Sequence, residues 1–181
     1  MRTRRKAYVG DRGALLASDW ARLAEHALPH LSGYNLIASY CAMGSEIGAR
    51  PLEHHLVSLA IDLALPCIAD DWEQPLGFAR FLPGDPLVTE VRSGIPQPLL
   101  SAERVVPQVV LVPLLAVDRR GLRLGQGAGH YDRTLRKLRE FGQVFAVGLA
   151  YDSQIIDHVP DDPWDEPLNA LATPTRWIDF I

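Results

Sequence analysis

The chain lacks most of the features that announce a secreted, membrane or nucleic-acid-binding protein. It has only two cysteines, Cys41 and Cys67, in 181 residues. Neither has metal-ligand spacing, and both lie in or beside apolar runs, so buried reduced thiols are expected. No apolar run is long enough to cross a bilayer. The first residues are basic (Arg2, Arg4, Arg5, Lys6) but carry no apolar h-region, so they do not read as a signal peptide. A net charge of −4 argues against a general nucleic-acid binder. There is no internal repeat and no Pro/Ser-rich linker. Ser45, Ser153 and the cysteines lack an adjacent base in any nucleophile pattern. The expectation is a cytoplasmic, monomeric protein with a small-molecule ligand and no membrane or nucleic-acid partner. The basic start has two readings: a solvated terminus, or a patch facing a polyanionic ligand.

What is present centres on residues 109–135, VVLVPLLAVDRRGLRLGQGAGHYDRTL. A branched apolar run reads as a buried strand. The turn Asp118-Arg119-Arg120-Gly121 follows, then Gly125, Gly127 and Gly129 at alternate positions, then a helix opening at His130-Tyr131-Asp132-Arg133. Strand, glycine loop and helix together expose backbone N–H groups and a helix N-terminus to an anion. The spacing is neither that of a dinucleotide fingerprint nor that of a P-loop. Its context, with Arg123 before the glycines and Asp132-Arg133 after them, favours phosphate binding over a plain surface loop.

The rest of the chain alternates helix and strand patterns. An amphipathic helix is expected over Asp11 to Leu31, or from an Asp19 cap, with Pro29 at or just past its end. Tyr34 to Tyr40 reads as a strand, followed by a loop that carries Glu46. Loops at strand C-termini build ligand sites in open α/β sheets, so Glu46 is either a ligand contact or a plain first-turn acid. Arg50 to Ala64 reads as a second helix with Pro51 in its first turn. His54 and His55 are read as surface or packing residues. Leu65 to Ala69 reads as a short strand, and Leu76 to Phe81 as an edge or hairpin strand. Residues 83–107 are rich in Pro, Gly and Ser and read as connection, with Gly94 to Pro98 able to frame a pocket.

Beyond the glycine loop, a helix is expected to Phe141. Its basic residues form a solvent face, with Arg133 excepted. Gln143 to Ala150 reads as a buried strand and Ile155 to Val159 as a helical turn. Residues 161–166 form an acidic loop, and Leu171 to Ile181 ends the fold, with Trp177 a core or lid aromatic. The whole reads as a single three-layer α/β/α domain over 1–181 with a mainly parallel sheet.

An anion cradle beside carboxylates suggests a nucleoside triphosphate with magnesium, which takes one or two carboxylates plus phosphates and water. Asp132 adjoins the cradle. A second ligand is open among Asp161, Asp162, Asp165 and Glu166. With no nucleophile, catalysis would rest on positioning and electrostatic stabilisation.

The longer string is more specific. Pro113, Ala116, Asp118, Gly121, Arg123-Leu124-Gly125, Gly127, Gly129 and Tyr131-Asp132-Arg133 together resemble the signature of the 5-formyltetrahydrofolate cyclo-ligases, also called methenyltetrahydrofolate synthetases. Tyr40 through Glu46, Gly94-Ile95 with Pro98, Gln154, Pro160, Asp165 with Leu168, and Thr173-Pro174 extend the resemblance over most of the chain. It implies that ATP and Mg²⁺ drive closure of 5-formyltetrahydrofolate to 5,10-methenyltetrahydrofolate, with ADP and phosphate released. The implied course is attack of the formyl oxygen on the γ-phosphate, ring closure by N10, and loss of phosphate.

By the same resemblance Arg123, Leu124, Gly125, Gln126, Gly127, Ala128, Gly129, His130 and Tyr131 hold the ATP phosphates, with Arg4 and Arg5 adding charge. Arg123 and Tyr131 are the implied catalytic groups. Glu46 and Met43 bind the folate, along with Gln126 through His130 on the substrate side of the loop. Asp132 and Asp165 bind Mg²⁺. Some positions depart from the family pattern. His130 stands where an aromatic is usual, Gln97 replaces a carboxylate, and Trp164 replaces a His. The usual Gly-Lys before the second core strand is replaced near Leu63-Ala64. The family's Lys-x-x-x-Arg element is either absent or upstream of Met1, with Arg4, Arg5 and Lys6 matching the basic stretch after it. The alternative function is a non-catalytic folate- or nucleotide-binding relative acting through a partner.

Overall fold

The computed structural model describes residues 1–69 and 71–180. Helices are α1 (Arg2–Arg12), α2 (Leu16–Leu31), α3 (Arg50–Ser58) and α4 (His130–Phe141). Strands are β1 (Leu36–Ala38), β2 (Asp62–Cys67), β3 (Gly77–Phe81), β4 (Leu87–Thr89), β5 (Pro96–Pro98), β6 (Val109–Pro113), β7 (Ala116–Val117), β8 (Arg123–Leu124), β9 (Phe145–Leu149), β10 (Ala170–Ala172) and β11 (Trp177–Asp179).

Seven strands form one sheet in the order β11-β10-β9-β6-β1-β2-β3. The inner five run parallel, and β3 and β11 close the edges antiparallel. The inner strands are short, apolar and buried on both faces, as a covered parallel sheet requires. Leu23, Ala27 and Leu31 of α2, with Leu52 and Leu56 of α3, pack one face on Ile37, Leu63, Leu111 and Leu149. Leu135 and Leu138 of α4 cover the other, over Val110, Val112, Ala146 and Leu171. The expected three-layer α/β architecture is therefore present.

Several local expectations are corrected. The first helical segment is two helices joined by a 3₁₀ turn at Gly13–Leu15, and the basic start is itself helical. Asp19 is not a cap. It is fully buried, and Arg12 and Arg22 both donate to it. Pro29 lies inside the last turn of α2, where only its own N–H is missing from the ladder. Helix α3 stops at Ser58, because Ala60 takes the left-handed conformation (φ 59°), and β2 starts at Asp62. The connection over residues 83–107 contains the β4/β5 hairpin. A 3₁₀ turn occupies Asp152–Gln154, whereas Ile155 bridges to Val117. Trp177 is half-buried and stacks on His30 with ring centroids 4.2 Å apart. Ile181, the expected end of the last element, lies outside the described residues.

Candidate active site

The sheet order reverses direction between β1 and β6: β2 follows on one side of β1, and β9 on the far side of β6. Connections leaving the two strands diverge there and open a crevice at their C-terminal ends. The β1 connection carries Glu46, and the β6 connection carries the glycine loop. The crevice thus joins two stretches about 80 residues apart, and Gln126 Nε2 donates to Glu46 Oε1 at 3.0 Å.

Glu46 is almost fully buried (8% exposed), so it needs partners, and it has them. Its Oε2 accepts the Met43 N–H at 2.8 Å. Arg5, 4% exposed, lies 3.8 Å from Oε1 and donates to Ser45 Oγ and to the Leu114 carbonyl. Arg2 donates to Gln126 Oε1 at 2.5 Å. So α1 places two arginines against the glycine loop and the Glu46 loop, and the basic start is not merely solvated. Arg4 points to solvent. Met43 enters the network through its backbone N–H.

The glycine loop is open. Leu124, Gly125, Gln126, Gly127 and Ala128 are exposed, and a Cβ on Gly125 or Gly127 would meet nothing within 4 Å. Gly127 (φ 96°) and Gly129 (φ 65°) are left-handed, and Gly129 caps α4 in that conformation. The space beside Gly125 and Gly127 is open, whereas a Cβ at Gly129 would meet Arg133 Nη1 at 2.7 Å.

Beyond the loop lie the acidic residues. Arg123 Nη2 donates to Asp132 Oδ1 at 2.8 Å, and its Nη1 to the Glu166 carbonyl. The guanidinium is thus committed to positioning Asp132 and the acidic loop. The Glu166 N–H also donates to Asp132 Oδ1, which brings the residue after Asp165 against Asp132. Asp165 Oδ2 accepts the Asp162 N–H. Among the described residues, no group of three His, Cys, Asp or Glu is placed to hold a metal ion. Asp132 and Asp165 are each tied by one oxygen, and among the described residues no hydrogen bond reaches the other. That donor set suits an ion that arrives with phosphate oxygens of its own.

Tyr131 sits half-buried in the first turn of α4. Burial, then the charge of Glu46, pushes its phenol well above the usual range, so it remains a neutral donor. His130 is pushed down, chiefly by burial and then by Arg133, and stays neutral. Gln97 accepts the Ile68 N–H at 2.9 Å, a contact an amide oxygen makes as well as a carboxylate. Sequence reasoning did not single out Trp72, whose ring meets His130 edge-on with centroids 5.1 Å apart. Glu166, one of the four candidates for a second metal ligand, instead pairs with Arg136 and Arg139 and holds the acidic loop on α4. The basic face of α4 is therefore largely paired.

Fold and site together define an α/β protein with an exposed glycine loop, a buried glutamate tied to it and nearby carboxylates at a topological switch point. The 5-formyltetrahydrofolate cyclo-ligase family model matches residues 1–174. A 5-formyltetrahydrofolate cyclo-ligase of Mycolicibacterium smegmatis is 38% identical over 149 residues, covering 78% of this chain and 75% of its own. That of Escherichia coli K12 is 33% identical over 144 residues, covering 77% and 78%. Two solved structures share the fold. A 5,10-methenyltetrahydrofolate synthetase from Mycoplasma pneumoniae has TM-score 0.70 at 21% identity, covering 96% of this chain and 98% of that one. One from Aquifex aeolicus has TM-score 0.75 at 24% identity, covering 99% and 92%. The chain belongs to the 5-formyltetrahydrofolate cyclo-ligase family and is an enzyme of that type.

Proposed function

We propose that the enzyme couples ATP and Mg²⁺ to the cyclisation of 5-formyltetrahydrofolate to 5,10-methenyltetrahydrofolate, with release of ADP and phosphate. The observation that carries this reading is the Gln126–Glu46 hydrogen bond. It joins the glycine loop to a buried, hydrogen-bonding carboxylate, which supports one crevice in which a formyl oxygen and a terminal phosphate could meet. The names borne by the relatives supply the substrate class.

The residues divide the work. Gly125 through Gly129 present backbone N–H groups to the phosphates. Asp132, held by Arg123 and assisted by Asp165, supplies carboxylate oxygens to Mg²⁺, which neutralises phosphate charge when bound. Glu46, held by Arg5 and the Met43 N–H, accepts hydrogen bonds from the folate ring. Tyr131 donates without ionising. Alignment and charge neutralisation suffice, because the attacking oxygen belongs to the substrate.

The test is Asp132→Ala, followed by appearance of the methenyl chromophore under Mg-ATP. Turnover should fall at least about 100-fold, in the range of losing one essential electrostatic group, with the variant still folded at the assay temperature by circular dichroism although its melting temperature falls because Arg123 loses its partner. Normal activity in that variant would refute the metal assignment.

A further inference from the structure

The turn between β7 and β8, residues 118–121, serves the acidic loop rather than the glycine loop. Asp118 is 1% exposed, and a carboxylate so buried needs partners. Its Oδ1 accepts the Arg120 N–H at 2.9 Å. Its Oδ2 accepts Arg120 Nε at 3.0 Å, Arg120 Nη2 at 2.7 Å and the Val159 N–H at 2.9 Å. Burial acts to raise the pKa of this acid, but the bonds from Arg120 and Val159 outweigh it and hold the group below the usual carboxylate range. An ionised Asp118 therefore fixes the Arg120 side chain as it leaves the turn.

Arg120 turns the rest of its guanidinium to the entry of the acidic loop. Nη2 donates to the Val159 carbonyl at 2.8 Å and lies 3.1 Å from His158 Nδ1, and Nη1 lies 3.0 Å from Asp161 Oδ1. The far end of the loop returns to the same turn, where the Leu168 N–H donates to the Gly121 carbonyl at 2.9 Å. Gly121 has φ 76°, and a Cβ there would meet the Leu168 carbonyl oxygen at 2.7 Å, so turn and loop end touch through their backbones. One turn thus holds both ends of residues 159–168. Between those ends Arg136 donates to the Trp164 carbonyl and the Glu166 N–H to Asp132. The Asp165 carboxylate, among the described residues, bonds only within its own turn, to the Asp162 N–H at 2.9 Å. Its place relative to Asp132 is therefore set by the chain on either side of it.

We propose that Arg120 is a positioning residue for the reaction: it clamps the entry of the acidic loop to the β7–β8 turn and so sets where Asp165 stands for the metal ion. The proposal rests on the magnesium reading of Asp165. A guanidinium suits the task because its planar fork reaches an acid on its own turn and, at the same time, a carbonyl and an acid on the loop, which an ammonium cannot span. Without the clamp the loop holds its metal-competent position for only a fraction of the time, and the apparent affinity for the ion falls by that fraction. A saturating ion restores the position and with it the maximal rate.

The test compares Arg120→Met with Arg119→Met, which removes the same charge from an exposed neighbour outside the clamp. Three readouts apply to the full-length protein. They are the Mg²⁺ concentration at half-maximal turnover under saturating ATP, the Mg²⁺ concentration at half the rise in melting temperature under ATP, and amide hydrogen exchange over residues 159–168. Arg120→Met should raise both Mg²⁺ midpoints about tenfold, the scale of one hydrogen bond to a charged group, and keep kcat within about twofold. Exchange should quicken over 159–168 and hold over 124–128. Arg119→Met should match the unaltered protein throughout. Arg120→Lys keeps a charge beside buried Asp118, serves should the methionine variant fail to fold, and should show most of the same shift. Unchanged Mg²⁺ midpoints in Arg120→Met, an equal shift in Arg119→Met, or full rescue by lysine would each overturn the proposal. Absence of turnover in the unaltered protein would instead refute the cyclo-ligase reading, and the melting and exchange readouts would still decide on the clamp.

Discussion

The two flanks of the glycine loop are built on opposite principles. On the Glu46 flank the polar groups are joined in a chain: Arg2 to Gln126, Gln126 to Glu46, Glu46 to Met43 N and Arg5, Arg5 to Ser45 and the Leu114 carbonyl. On the Trp72 flank three buried nitrogens, Trp72 Nε1, His130 Nε2 and Arg133 Nε, have no hydrogen-bond partner among the described residues. The first arrangement is rigid before any ligand binds and holds a carboxylate at a fixed place. The second leaves buried polar nitrogens unmatched, at a cost to stability. A single loop thus carries a preformed contact on one side and an unmet one on the other, so loss of a donor should have opposite effects on the two sides.

The largest effect tests that contrast on the satisfied side. Arg5→Met removes the cation beside a buried carboxylate and should destabilise the protein by about 3 kcal/mol in urea unfolding, with a raised KM for the folate. A loss below about 0.5 kcal/mol would show that the network is ornamental. Next is the other flank. Trp72→Phe keeps the ring and removes an unsatisfied donor, so the ligand-free protein should gain about 1 kcal/mol. A loss of similar size would mean the indole N–H is bonded after all, and the contrast would collapse.

A third effect lies outside both flanks and calibrates them. Glu53 is buried (5% exposed) on α3 and accepts from Ser39 Oγ. Burial raises its pKa, with the Ser39 bond opposing. A raised folded pKa means stability that is full below the ordinary glutamate range and declines as pH rises through the folded value. Glu53→Gln should therefore raise the melting temperature by about 2 °C at pH 7 and leave it unchanged at pH 4. An equal shift at both pH values would assign the effect to packing rather than charge. The smallest effect is Gln126→Ala. Gln126 is exposed, so stability should change by no more than about 0.5 kcal/mol, while amide exchange in residues 124–128 quickens. Unchanged exchange would show that the tie to Glu46 does not steady the loop.

Much of the site was legible because its signals are local. A continuous apolar run ending in Pro113, alternate glycines and a helix opening at His130 need no tertiary information, and β6, the loop and α4 fall where the pattern puts them. Glu46 was legible from its place after a strand. Helix α1 was not, because its only buried residue is Arg5, and no apolar stripe marks a helix anchored by a charge. The end of α3 was hidden because an alanine, not a glycine, takes the left-handed position. Trp72 lies in a loop between β2 and β3, and only the fold brings it to His130. The commitment of Arg123 to Asp132 is likewise a matter of side-chain direction, which spacing does not encode.

The most direct test of the account is the stoichiometry of the reaction. Incubated with 5-formyltetrahydrofolate and Mg-ATP, the protein should produce the methenyl chromophore and ADP in equal amounts, and neither product without ATP. Chromophore formation independent of ATP, or none at all with both substrates bound, would contradict it.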